Sequence, residues 1–352
     1  MTPDPISKIG NLELAVLSPK LTNLLIQART KIALLNGYCI ALPNPFLLLS
    51  PAVLKESLAS NEIENIQTTL IEALQNALFP EIERSQPDKE VLRYREGLLW
   101  GFDQVNDGMP ITSRIVTGIQ QRLMPSDGQY RQIQNVIWNP STKEILHLPP
   151  SAADIPDLIQ DWELFVNSKN VTDPLIKIAI AHYQFESIHP FKDGNGRTGR
   201  ILMVLELVQK KLLGLPILYL SGYISANKAR YYEVLQSVRK TNSWDEYLEF
   251  MLLAFGEQAD LTAKIFEQII RLLNDQKQEF RSKLPKIYNR EILEELFGSP
   301  ILSPVSLSQK LNIHYTTASK YLKQLEKIGM LKTAKVGKYQ IYMNHKLIEI
   351  LS

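Results

Sequence analysis

Apolar positions recur at helical spacing along most of the 352-residue chain. Leu12, Leu14, Leu17, Leu21, Leu24 and Leu25 open the pattern, and three-to-four spacing predicts a helical region over residues 1–110. Pro43 to Pro51 interrupts it as a loop. Val53, Leu54, Leu58, Ile63, Ile66, Leu70, Ile71 and Leu74 then predict one helix over 51–76. Val91 to Val105 continues the pattern after Pro80 and Pro87. Between 131 and 148 the texture changes. Ile133, Val136, Ile137 and Trp138 favour strand, Asn139-Pro140-Ser141-Thr142 is a turn cluster, and Ile145, Leu146 and Leu148 follow. That is the pattern of a β-hairpin.

Helical spacing resumes at 152–167 and at 175–188, the second opened by Thr172-Asp173-Pro174 with Pro at the first helical position. A helix from Arg197 to Leu213 is expected to end at Gly214, and further helices run to Leu273. The polar, charged stretch 274–287 is expected to be a linker or helical spacer. From Tyr288 the pattern is short helices at 290–297, 305–311 and 315–328, then a hairpin turning near Gly337-Lys338.

Composition is that of an ordinary globular chain, 45% hydrophobic and 22% charged. The single Cys39 excludes an intramolecular disulfide and a cysteine-based zinc site. No basic, apolar leader and no run of about 18 apolar residues is visible, so the expectation is a cytoplasmic protein without a membrane span. The net charge of +2 hides a split. Residues 281–352 carry 12 Lys/Arg against 5 Asp/Glu, and residues 1–280 carry 27 against 32. A +7 tail on a −5 body is a candidate nucleic-acid footprint.

The chemistry concentrates in His189-Pro190-Phe191-Lys192-Asp193-Gly194-Asn195-Gly196-Arg197-Thr198-Gly199-Arg200. Three glycines open the backbone to a ligand, and the following helix turns its free N–H groups toward the loop, which suits phosphate. Arg197 and Arg200 match phosphate oxygens, Asp193 is a hard ligand for Mg²⁺, and His189 can take a proton near neutral pH. A lone His before Pro is more often structural. Gly194 to Gly199 also satisfies G-x-G-x-x-G, but the element before it is helical, so the dinucleotide reading fails, and no G-K-[ST] makes a P-loop.

The stretch resembles the Fic signature H-x-F-x-[DE]-G-N-G-R-x-x-R at every defined position. The similarity extends to residues 1–110, to the 131–148 hairpin as the family's flap, and to 220–232. It implies a mostly α, helical Fic fold with a β-hairpin flap. It further implies transfer of AMP from ATP, with Mg²⁺, to a Ser, Thr or Tyr hydroxyl of a target protein or of the chain itself. On the resemblance His189 would be the base and Asp193 the metal ligand. Gly194, Asn195 and Gly196 would form the anion hole, Arg200 would grip the γ-phosphate, and Arg197, Thr198 and Gly199 would complete the phosphate site. Asn227 and Tyr231 would touch adenine or ribose. Val136, Ile137, Trp138 and Asn139 on the flap would pair with the target backbone. Gly194 rather than alanine favours AMP transfer over the phosphate transfer of the Doc-like branch.

Ser60-Asn61-Glu62-Ile63-Glu64-Asn65 fits [ST]-x-x-x-E-[GN], which the family uses as an inhibitor. Glu64 would pair with Arg200 and displace the γ-phosphate; the plain alternative is the solvent side of an amphipathic helix. The basic tail resembles a winged helix-turn-helix domain over 288–352, with Thr316, Thr317, Ser319, Lys320 and Lys323 facing DNA and Lys335 and Lys338 on a wing. A protein-contact or homodimer module reads equally well from the same residues. Two further activities stay open: a DNA-binding regulator whose core senses nucleotide, and Glu64-dependent removal of AMP. His147 is expected at an exposed loop end, and His182 as a packing residue.

Overall fold

The computed structural model describes the chain except residues 1–7, 10–16, 42–43, 45, 79–84, 139–144, 170–171, 242 and 338. Leu12, Leu14, Asn139 and Lys338 therefore lie outside the described residues. The fold is mostly helical, with two small antiparallel sheets. None of the described helices is long and apolar enough to cross a membrane.

Two helices form the centre. In α7 (Pro174–Ile188) and α8 (Asn195–Gln209) nearly every residue is buried, on all faces. Sequences such as Ile178-Ala-Ile-Ala181 and Ile201-Leu-Met-Val-Leu205 are apolar all round, and such helices belong inside a core. Around them pack α4 (Gln86–Asn106), α5 (Ser113–Leu123) and α6 (Ile155–Asn167). α1 (Pro19–Ala41) lies along α11 (Asp245–Lys283), while α9 (Leu220–Ala226) and α10 (Lys228–Thr241) bridge from α8 to α11.

Several expectations change. The Pro43–Pro51 loop is shorter, because α2 already begins at Phe46 and runs to Ile63 with Pro51 inside it. Pro51 gives up one backbone hydrogen bond. Burial of Ala52, Val53 and Leu54 offsets that loss. The helix expected over 51–76 is two helices. Asn65 takes a left-handed φ of 62°, and α3 (Leu70–Asn76) restarts with a Thr69–Glu72 capping box. Glu64 sits in the turn just past α2. The stretch 274–287 is largely helix, since α11 continues to Lys283. Gln276 and Phe280, four residues apart, are buried on one face and hold the segment in place. α8 begins at Asn195 and ends at Gln209, five residues before Gly214.

α2 is braced from both sides. Its Glu56 is buried and accepts from Tyr94 Oη at 2.9 Å, from Ser221 N at 2.9 Å and from the Ser221 hydroxyl. Glu56→Ala would leave the Tyr94 and Ser221 donors unpaired in the core. Each such group costs about 1–3 kcal/mol, so chemical denaturation should show a loss of about 2–4 kcal/mol.

The C-terminal part is a compact unit of α12 (Arg290–Gly298), β3 (Ile301–Leu302), α13 (Pro304–Leu311), α14 (Tyr315–Lys327), β4 (Lys332–Val336), β5 (Tyr339–Met343) and α15 (His345–Leu351). The sheet order is β3-β5-β4, with Lys335 opposite Gln340 and Val336 opposite Tyr339 beside the turn at Gly337. β3 and α15 escaped the sequence pattern because each is short. The unit docks on α2 and α11: Lys55 Nζ donates to the Leu351 carbonyl at 2.6 Å, and Asn344 and Gln276 exchange side-chain hydrogen bonds at 3.1 Å.

Candidate active site

The loop between α7 and α8 is set by two left-handed residues. His189 caps α7 at φ 48° and ψ 58°, and Gly194 precedes α8 at φ 77°, where glycine avoids the strain of a side chain. Asn195 ties the loop shut, accepting from Phe191 N and donating to Phe191 O, each at 2.8 Å. Phe191 is buried against Tyr130, ring centroids 5.3 Å apart. Arg131 clamps the same loop from outside, donating to the carbonyls of His189 at 3.0 Å and Pro150 at 2.6 Å. Gln120 holds its far side, donating to the Asp193 carbonyl and accepting from Thr198 Oγ1, both at 2.8 Å.

His189 lies half-buried in the wall of a cleft of ≈ 320 Å³ lined also by Glu64, Glu186, Gly196, Arg200, Tyr231, Tyr232 and Arg239. Burial, joined by nearby His147, pushes its imidazole down to about 4, against the pull of the Glu186 carbonyl and the Glu64 carboxylate. The ring is therefore neutral at pH 7 and able to accept a proton. Glu186 lies three residues before it, and burial pushes its carboxyl up to about 7.

Arg200 is fully enclosed, yet its guanidinium is matched. Nε donates to Ser60 Oγ at 2.8 Å, and Nη2 donates to the Ser60 carbonyl at 2.9 Å and to Glu64 Oε1 at 2.8 Å. Burial raises the Glu64 carboxyl, but Arg200, then Arg197 and His189, outweigh it and hold it below its ordinary value. Gly196 is pressed against this pair: a Cβ there would stand 2.6 Å from Glu64 Oε1 and 2.8 Å from Arg200 Nη1.

The structure brings Ser60, Glu64, His189, Gly196 and Arg200 together. Asn65 lies alongside, its side chain accepting from Lys228 Nζ at 3.0 Å. Arg197 is engaged elsewhere, paired with Glu90 at 2.5 Å and 3.7 Å from Asp193. Thr198 faces Gln120, and Gly199 packs on Glu186 and His182, so neither side chain position opens to the cleft. Asn227 is exposed and its amide is bound to the Tyr223 carbonyl, because it caps α9 instead of facing inward. Tyr231 is buried with its hydroxyl 2.7 Å from His182 Nε2, which leaves the more exposed Tyr232 at the cleft mouth.

The flap is shorter than expected. β1 (Ile137–Trp138) pairs with β2 (Ile145–His147), and residues 131–136, Val136 included, are not strand. Arg131 and Asn135 spend their side chains on the loop carbonyls instead. Val136, Ile137, Trp138 and Leu146 roof the cleft. His147 is not exposed: it is buried, with Nε2 2.7 Å from the Ser187 carbonyl.

A half-buried neutral imidazole and a buried guanidinium facing one glycine-paved helix N-terminus define a helical protein with an anion-receiving site. The chain belongs to the Fic/DOC family. The Fic/DOC family model matches residues 110–207, the Fic/DOC family N-terminal model matches 22–103, and the model described as protein adenylyltransferase SoFic-like, C-terminal domain, matches 272–347. Among curated relatives, the protein adenylyltransferase Fic of Aedes aegypti is 31% identical over 139 residues, 38% of this chain and 25% of that protein. Its namesake in Drosophila erecta is 46% identical over 59 residues, 16% of this chain and 12% of that protein. The match thus spans a quarter or less of these relatives' own length. A Fic family protein from Desulfovibrio desulfuricans G20 shares the fold, with a TM-score of 0.61 at 20% identity over 94% of this chain and 97% of that one. Fic-1 (residues 134–508) from C. elegans aligns with a TM-score of 0.56 at 17% identity over 72% and 75%.

Proposed function

We propose that this chain is a protein adenylyltransferase that moves AMP from ATP to a Ser, Thr or Tyr hydroxyl of a target protein or of itself, and that Glu64 holds it in check. The convergence of His189, Gly196 and Arg200 on one cleft at the N-terminus of α8 carries this reading. Such a terminus receives phosphate through its free N–H groups. The neutral His189 takes the proton of the incoming hydroxyl. The oxygen then bonds to the α-phosphorus as the bond to the bridging oxygen breaks, and pyrophosphate leaves. Arg200 pairs with the terminal phosphate, and Arg197, fixed by Glu90, adds positive potential from beneath.

Asp193 fits a Mg²⁺ site completed by phosphates. Its side chain is 67% exposed and Oδ1 accepts from Gly194 N at 2.6 Å, and a carboxylate so exposed could supply a single oxygen ligand. Bound there, the metal would neutralise charge on the phosphates. Glu64 stands where the terminal phosphate would meet Arg200, with Ser60 of the same motif fixing the guanidinium. The two-stranded flap, with Trp138 half exposed at its edge, suits a target segment added as a further strand.

Protein incubated with ATP labelled on the α-phosphate will become labelled, and protein incubated with ATP labelled on the γ-phosphate will not. Label from the γ-position would instead show phosphate transfer.

A further inference from the structure

We infer that a second groove, on the outer face of α4, is a docking site for an acidic segment of a partner protein. The groove encloses ≈ 670 Å³ over α4, bounded by the C-terminal end of α5 and by Ala77 just after α3. Glu90, Gly97 and Gly101 turn one face of α4 to Arg197, Ile201 and Leu205 of α8. Lys89, Leu92, Glu96, Leu99 and Asp103, spaced by three and four residues, make up another face, and that face lines the groove.

The charge of the groove is opposite to that of its surroundings. Residues 1–280 carry an excess of acids, yet Lys89, Arg93, Arg95 and Arg122 line the groove against Glu96 and Asp103. Lys89, Arg95 and Arg122 are half-buried and form no ion pair among the described residues. Nε of Arg95 is buried with no hydrogen-bond partner, Nη2 reaches only Ser50 Oγ at 3.5 Å, and burial pulls the guanidinium below its ordinary pKa. A cation enclosed without an acid is costly, and a carboxylate arriving from outside removes that cost. Arg122 is preset for the same task. Nη1 donates to the Gly118 carbonyl at 2.9 Å, and the guanidinium carbon lies 4.0 Å from the centre of the Trp100 ring. Trp100 in turn presses on Gly118, where the ring leaves no room for a Cβ.

The lining selects the occupant. No glycine is among the described lining residues and the first turn of α4 is capped by Ser85, so the groove lacks the N–H cradle of a phosphate site. It offers cations beside the apolar side chains of Leu92 and Leu99. A peptide carries both matching groups, carboxylates and aliphatic side chains. From Lys89 to Trp100 the helix advances about 16 Å, the reach of about five residues of extended chain.

The test uses the full chain without ATP and a fluorescein-labelled peptide, Glu-Leu-Glu-Glu-Leu-Glu, with anisotropy read at low salt. Saturable binding is expected. Arg95→Ala and Arg122→Ala, each matched to the parent in melting temperature, should weaken it about fivefold or more, the scale of an arginine that anchors an interface. Arg122→Lys keeps the charge but loses the stacked planar fork, and should weaken it too. Lys320→Ala, which removes an exposed cation from α14, should leave it unchanged. Absence of saturable binding, binding unchanged by the substitutions at Arg95 and Arg122, an equal loss in Lys320→Ala, or equal affinity for an oligothymidylate of the same charge overturns the inference.

Discussion

Purified Glu64→Gly protein will label itself from α-labelled ATP about 10- to 100-fold faster than the parent chain. The magnitude follows from what Arg200 loses and gains. In the parent chain Glu64 Oε1 accepts from Nη2 at 2.8 Å inside a site where Arg200 is 2% exposed. A hydrogen bond to a charged group contributes about 1.5–3 kcal/mol, and that amount separates the braked from the unbraked cleft. Removing the carboxylate leaves Arg200 fixed by Ser60 but electrically unmatched, so the phosphate of ATP becomes its partner. Two companion variants grade the effect. Glu64→Gln keeps an acceptor but no charge, and should fall between the two. Ser60→Ala removes one acceptor and leaves the carboxylate, so its gain should be smaller than that of Glu64→Gly. A Glu64→Gly protein no faster than the parent overturns the brake.

Acid does not substitute for the mutation. Arg200 holds the Glu64 carboxyl below its ordinary value, so the ion pair persists above that depressed value and is lost only as pH falls through it. Lowering pH from 8 to about 6 should therefore leave the brake on, with the parent chain's slow labelling no faster than before. Release has to come from movement of the turn after α2. That helix is gripped by α4 and α9 through Glu56 and by the C-terminal unit through Lys55.

The parts of this site that local spacing makes legible share one property: they are close together in the chain. His189 to Arg200 carries base, glycines and guanidinium within one loop and one helix turn, so their proximity follows from local geometry. Glu64 was legible only through its motif, since 136 residues separate it from Arg200. The residues that escaped, Arg131, Gln120, Glu56 and Tyr232, act by reaching backbone carbonyls or side chains of remote segments. Nothing in a one-dimensional pattern marks which carbonyl a glutamine will find. Asn227 and Thr198 fail for the opposite reason. Each has a suitable side chain in a suitable neighbourhood, but helix phase turns it toward Tyr223 or Gln120. The stretch 274–287 reads as linker or helical spacer because its polarity is high; two buried residues on one face, Gln276 and Phe280, keep it helical to Lys283 as the continuation of α11. The mostly helical fold, by contrast, follows from apolar spacing repeated across many elements, where single errors average out.

His189→Asn in the Glu64→Gly background will lower AMP transfer at least about 100-fold, the lower end of what a positioned general base contributes. Asparagine is the informative replacement. His189 sits at φ 48°, a conformation that strains most side chains and that Asn tolerates. The loop, the Arg131 bond to the His189 carbonyl and the Asn195 clamp should all survive, and thermal unfolding should show a melting temperature close to the parent's. His189→Ala should lose at least as much activity and some stability besides. Affinity for ATP should change little in either variant, since the ring acts on the incoming hydroxyl and the phosphates are held by α8 and Arg200. The pH profile separates a proton-accepting role from a packing role. In the parent chain the ring is pushed down to about 4, and Glu64 is one of the groups that pulls it upward. In Glu64→Gly that pull is gone, so the acid limb of kcat/KM, which reports the free enzyme, should fall at or below about 4 rather than near the ordinary 6.5. A Glu64→Gly protein that retains full transfer with Asn at position 189 would remove His189 from the reaction and leave the loop only its phosphate-binding part.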